Sequence, residues 1–129
     1  EVLNGQITLP DSYSIVTVGL NYTAILEPQI PEAGSGVGSS QGRPKRIDYL
    51  ALKFNRAAHC KFGRSLSSLE RIPFKQANDP IDAPVTLLTG DLRMPFDGEY
   101  DEESRIFIVA DEPLPCGIIC LVARGWTYD

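Results

Sequence analysis

The sequence predicts an all-β fold, a single antiparallel β-sandwich or barrel-like domain over residues 1–129 with little helix. Three observations carry that expectation. Apolar residues alternate with polar ones or gather in short β-branched runs, and no segment sustains the three-and-four spacing of an amphipathic helix. The runs recur at short intervals between turn formers, among them 11 Gly and 10 Pro, as they do in sandwiches and barrels. A chain of 129 residues suits one domain, able to bury roughly two thirds of its unfolded surface.

The elements follow in chain order. Asn4–Pro10 reads as a short alternating strand closed by Pro10-Asp11-Ser12. Over Ser14–Pro28, Ile15, Val16, Val18, Leu20, Tyr22, Ala24 and Leu26 keep close to period two. That predicts a long strand, or a bent pair hinged at Gly19. Residues 32–44 are rich in Gly and Ser; burial there cannot offset the entropy of ordering, so a flexible surface loop is expected. Ile47–Ala57 is a strong strand with Leu50, Leu52 and Phe54 facing inward and Tyr49, Ala51 and Lys53 opposite.

Cys60–Ser68, polar and glycine-containing, is expected to turn. Leu69–Phe74 reads as an edge strand, blunted by Arg71 and Lys75 and limited in its pairing by Pro73. Past an irregular connection at Pro80–Pro84, Val85–Thr89 reads as a strand, Gly90-Asp91 as a turn and Leu92–Met94 as a further strand. Ile106–Ala110 and Ile118–Ala123 flank a double-proline connection in which Pro113, Pro115 and Gly117 deny a helix room. Both runs are apolar on both faces and are expected at the centre of the core.

A formal net charge of −5 argues against nonspecific binding to nucleic acid or to an anionic membrane, which select basic surfaces. No apolar run approaches the ~20 residues that span a bilayer, and the first residues lack a signal-peptide pattern. A start at Glu1 fits a domain cut from something longer. The 3 cysteines, Cys60, Cys116 and Cys120, cannot all pair and form no C-x-x-C, so buried reduced thiols are expected. A zinc site would need a fourth ligand, for which His59 is the only histidine.

Residues 97–103, Asp-Gly-Glu-Tyr-Asp-Glu-Glu, are the densest source of oxygen ligands, the type calcium prefers. An EF-hand loop needs Gly at its sixth position, whereas Gly98 stands second, and a solvated hairpin tip is the plainer expectation. Glycoside hydrolysis needs carboxylates facing each other across a cleft, while a run on one tip splays into water. A nucleophile–histidine arrangement would have to use His59, yet its neighbour Cys60 is expected on the opposite face. Gly34-Ser-Gly-Val-Gly38 is not the Gly-x-Ser-x-Gly elbow. Gly38 and Gly42 lead into Arg43-Pro44 rather than the Gly-Lys-Ser/Thr of a phosphate loop. The expectation is a protein without catalytic residues, metal or cofactor.

Arg43-Pro-Lys-Arg46 is a basic cluster, read as a solvated lead into the following strand. Tyr22, Tyr100, Trp126 and Tyr128 could make a stacking platform for sugars, although Trp126 is read first as a cap on the core. Arg43, Lys45, Arg46, Tyr100 and Trp126 are the candidate interface residues.

Several strings carry a resemblance. Val16-Thr-Val-Gly-Leu-Asn-Tyr-Thr-Ala24 resembles a V-G-L-x-Y-T strand, and Gly38-Ser-Ser-Gln-Gly-Arg-Pro-Lys-Arg-Ile47 a (T/S)-x-Q-G-x-x-K-R-I element. Leu88-Thr-Gly-Asp91, Phe96-Asp-Gly-Glu-Tyr100 and Ile108-Val-Ala-Asp-Glu-Pro-Leu-Pro115 resemble a T-G-D … P-x-x-x-Y … I-x-x-D-x-P-L-P ending. In order and spacing, from Val16 to Val122, they are similar to the C-terminal region of bacteriophage and prophage tail proteins of the tail tubular protein B (nozzle or hub) type. The match is poorest over Cys60–Pro84. The resemblance implies a non-enzymatic structural module of a virion tail, assembled in the bacterial cytoplasm. Its partners would be copies of itself and neighbouring tail proteins, with nucleic acid met only as DNA passing through the tail lumen. A carbohydrate-binding β-sandwich that reads host surface glycans is the second expectation, and a small hydrolase using the acidic loop ranks below both.

Overall fold

The structure, a computed structural model, describes residues 2–32, 38–75, 77–80 and 83–128. The fold is all-β, with no helix among the described residues. The chain opens with a small hairpin, β1 (Val2–Leu3) and β2 (Gln6–Ile7). Its turn is Asn4-Gly5, both at positive φ (52° and 75°), the backbone that two-residue hairpin turns require. The single strand expected over Asn4–Pro10 is therefore wrong, because Asn-Gly is itself the turn.

Seven further strands form two antiparallel sheets. β3 (Ala24–Leu26), β8 (Phe107–Ala110), β5 (Lys61–Ser65) and β6 (Ser68–Arg71) make the first in that spatial order. β7 (Leu88–Pro95), β4 (Lys45–Ala57) and β9 (Ile118–Thr127) make the second. One hydrophobic cluster joins them. Leu50, Leu52 and Phe54 of β4 and Met94 of β7 meet Phe62 of β5 and Ile108 of β8, with Cys60, Ile72, Phe96 and Ile106 closing the sides. Phe74 packs edge-on to Phe54, ring centroids 5.1 Å apart, a favoured aromatic geometry.

The alternation in β4 is built by a bulge. Pairing with β9 slips between Ile47 and Tyr49, leaving Asp48 as an extra residue, and one extra residue swaps the faces of everything after it. Lys45 and Ile47 are buried before the bulge; Leu50, Leu52 and Phe54 are buried after it. Arg56, at φ 51°, lies in a second slip between Phe54 and Ala57 against β7, and Ala57 is buried again.

Four further expectations need correction. Cys60–Ser68 does not simply turn, since Lys61–Ser65 is an inner strand of the first sheet; Gly63 there lets the Ser68 carbonyl approach to where a β-carbon would stand. Gly90-Asp91 is not a turn, because both residues pair with Phe54 and Lys53 inside β7. Ile118–Ala123 is an edge strand, not a core centre: β4 holds the middle position and β9 is covered on one face only. Ser14–Pro28 contributes only the three residues of β3.

Candidate functional site

From Thr8 to Thr23 the backbone takes part in no strand, and every side chain from Leu3 to Glu27 is exposed. The segment is nonetheless apolar. Leu20 is 93% exposed and Ile15 72%, with Tyr13, Val16, Val18 and Tyr22 also in water. Gly19 is where this arm touches the domain, so close to Pro113 that a β-carbon would stand 2.7 Å from the proline Cβ. The arm runs into β3, whose Ile25 and Leu26 remain exposed although β3 pairs with β8. Beside it Tyr22, Ala24, Leu26, Ile108, Cys116 and Ile118 line an apolar groove of about 240 Å³. The long strand expected over Ser14–Pro28 does not form beyond β3, and the period-two pattern leaves both faces of the segment exposed.

The basic cluster divides. Lys45 is 5% exposed, not solvated, because the phase before the Asp48 bulge turns it inward. Its Nζ donates to the Ser40 carbonyl at 3.1 Å. Its charge also helps hold the Glu32 carboxyl below the usual range, after hydrogen bonds from Ser39 and Gln41. Arg46 is exposed and Arg43 half-buried. Ser40 is buried, so the described part of the 32–44 segment is fastened at this point rather than loose; residues 33–37, the centre of that expected loop, lie outside the described residues.

Arg46 pairs in register with Trp126 across β4 and β9. Both line a second depression of about 170 Å³ with Lys45 and Glu32. Trp126 is 64% exposed and does not cap the core, because β9 is an edge strand. Arg124 stacks over the Tyr49 ring at 5.0 Å and pairs with Asp48 at 3.2 Å, which holds the Asp48 carboxyl below its ordinary value.

The acidic loop is anchored, not a free tip. Lys45 and Asp101 exchange backbone hydrogen bonds at 2.9 and 3.0 Å. The Ser104 hydroxyl, buried with the residue at φ 46°, donates to the Lys45 carbonyl at 2.6 Å. Its carboxylates face different cations: Glu99 meets Arg64 at 2.6 Å and Glu103 meets Arg105 at 2.5 Å. Among the described residues no three His, Cys, Asp or Glu side chains are grouped to hold a metal. Tyr100, exposed, borders a cleft of about 520 Å³ with Arg64, Glu99 and Arg105. Of the five candidate interface residues, Lys45, Arg46 and Trp126 come together, Tyr100 stands on the separate cleft, and Arg43 lines neither depression.

Sequence reasoning missed a polar cluster around one buried histidine at the double-proline connection. His59 is fully buried, its Nε2 2.7 Å from Asp111 Oδ1. Its Nδ1 lies 3.4 Å from Glu112 Oε2 but makes no hydrogen bond. Lys61 Nζ holds the other Asp111 oxygen at 2.5 Å, and Arg71 reaches Glu112 at 3.3 Å. Lys61 first and His59 second pull the Asp111 carboxyl down to about 2. A general base must reach a substrate proton; this imidazole has no exposed surface and acts as an internal tie between β5 and the connection after β8. The thiol of Cys60, next in the chain, turns instead to the Lys61 carbonyl at 3.6 Å. The signal available in the sequence was the lone histidine and an Asp-Glu pair ahead of the prolines, 52 positions from it.

Among the described residues no helix is long and apolar enough to cross a membrane. Compared with protein-family profiles and with curated proteins, the chain matches none.

Proposed function

We propose that this chain is a structural assembly module that works through protein–protein contacts, in the setting of a phage or prophage tail that its sequence strings resemble. The observation that carries this is the uncovered arm, residues 8–23, continuous with exposed β3. Burying one large apolar side chain contributes about 1.5–3 kcal/mol. Ile15, Val16, Val18, Leu20 and Tyr22 together therefore hold on the order of 10 kcal/mol that a neighbour would recover. Association itself costs about 4–15 kcal/mol, so one arm contact is marginal and several repeated around a closed ring are not. An exposed segment outside any strand that runs into an exposed strand also suits pairing by strand addition. Copies of this chain are the partner to test first.

The test is sedimentation over a wide concentration range, with the wild type and Ile15→Ser/Val18→Ser/Leu20→Ser. Mass-action association in the wild type, lost in the triple variant with the fold retained, supports the reading. A wild type that stays monomeric and binds surface polysaccharides through Tyr100 or Trp126 overturns it in favour of glycan recognition.

A further inference from the structure

We propose that the groove between β3 and the start of β9 is the docking site for the arm of a second copy of this chain, which enters it as an added strand. The proposal rests on the assembly reading above and names the surface through which that assembly works. Among the described residues, β3 is an edge strand of the first sheet and β9 an edge strand of the second. The groove, of about 240 Å³, is lined from both: Ala24 and Leu26 belong to β3, Ile108 and Ala110 to the adjacent β8, and Cys116 and Ile118 to the chain entering β9. Cys116 and Ile118 pack against the core cluster yet are only partly buried. The two sheets are thus left open along this side.

The arm has the chemistry that fits the opening. From Ser12 to Leu26 the chain carries no charge, and none of the described residues lining the groove is charged. Laid out as a strand, Val16, Val18 and Leu20 share one face, with Thr17, Gly19 and Asn21 on the other. That is the division of a strand covered on one side and wet on the other. β3 pairs with β8 along one edge, and its other edge offers the backbone groups that strand addition uses. A copy's own arm leads directly into β3 and touches the domain where Gly19 meets Pro113. Doubling back beside β3 would break that contact, a restriction the arm of a second copy does not have. Each copy offers one arm and one groove, so an exchange brings together roughly the 20–30 residues a side of a standard interface.

The test uses Cys116 as reporter, since it is half-buried and lines the groove. Cys120, exposed on β9 and outside the groove, is the control. The folded wild type is treated with iodoacetamide at concentrations below and above its association, and each cysteine peptide is quantified. Cys116 labelling should slow as copies associate, Cys120 labelling should not, and Ile15→Ser/Val18→Ser/Leu20→Ser should restore the monomer rate at Cys116. Ala24→Arg changes the groove and not the arm; by burying an unpaired charge it should weaken self-association about tenfold or more. A wild type that is monomeric at every concentration removes the assembly reading and this proposal with it. A wild type that associates while Cys116 still labels at the monomer rate overturns the docking site alone, whatever the variant does. So does a folded Ala24→Arg chain that associates as the wild type does.

Discussion

His59, just before β5, and Asp111, just after β8 and 52 positions along the chain, meet at 2.7 Å where the ring is fully buried. Asp111 also holds Lys61, and these two partners depress its carboxyl to about 2 from an ordinary 3.8. A carboxyl held lower in the folded than in the unfolded chain stabilises the fold fully above the unfolded value, and that contribution disappears as pH falls through the folded one. Stability should therefore decline between about pH 4 and pH 2. Asp111→Asn should lower the urea midpoint at neutral pH and flatten that acid limb. An unchanged limb in the variant would show that other carboxylates govern acid unfolding.

Gly98 lies over the bulged part of β4, where an added β-carbon would stand 2.2 Å from the Ile47 carbonyl oxygen. Backbone, not a movable side chain, occupies that space, so either the acidic loop or the strand must shift. Gly98→Ala should cost about 1–3 kcal/mol, read as a lower urea midpoint with an unchanged slope. Gly42→Ala makes the comparison, since an added β-carbon there meets nothing and the cost is that of its φ of 71° alone.

Phe54 is fully buried at the centre of the cluster joining the sheets. Phe54→Ala removes its edge contact with Phe74 and leaves a cavity that two paired sheets cannot readily close. The expected loss is about 3–5 kcal/mol by chemical denaturation. Lys53→Ala, exposed on the other face of the same strand beside Asp91 at 3.8 Å, should change stability by less than about 1 kcal/mol.

These sites also mark where the sequence was legible. Leu50, Leu52 and Phe54 alternate without interruption, and the inward face they predict is the one found. Lys45 was not legible, because its side depends on Asp48 being an extra residue, and a bulge is set by the partner strand rather than by local composition. Gly63 and Gly90 punctuate the sequence like turns, yet each lies inside a strand: Gly63 because a neighbouring backbone takes the space of a side chain, Gly90 at a φ of 150°. The tie between His59 and Asp111 depends on strand order, which periodicity does not encode. Trp126 was misjudged for the same reason. A core cap requires a covered strand, and β9 proved to be an edge.

The arm sets the last expectation. Ile15, Val18 and Leu20 contribute little to the isolated domain, since each is exposed. Replacing all three with Ser should move the urea midpoint of the monomer by no more than about 0.5 kcal/mol in equivalent stability, the usual range for surface positions. Gly19→Val is the opposite case: its side chain would collide with Pro113 and lift the arm from its contact point without altering the other apolar groups. If the arm is presented to a neighbour in a fixed direction, Gly19→Val should weaken association while leaving the domain folded. If the arm docks as a loose tether, only the triple variant should weaken it. Sedimentation of both variants beside the wild type separates the two, and association that neither variant reduces would remove the arm from the interface altogether.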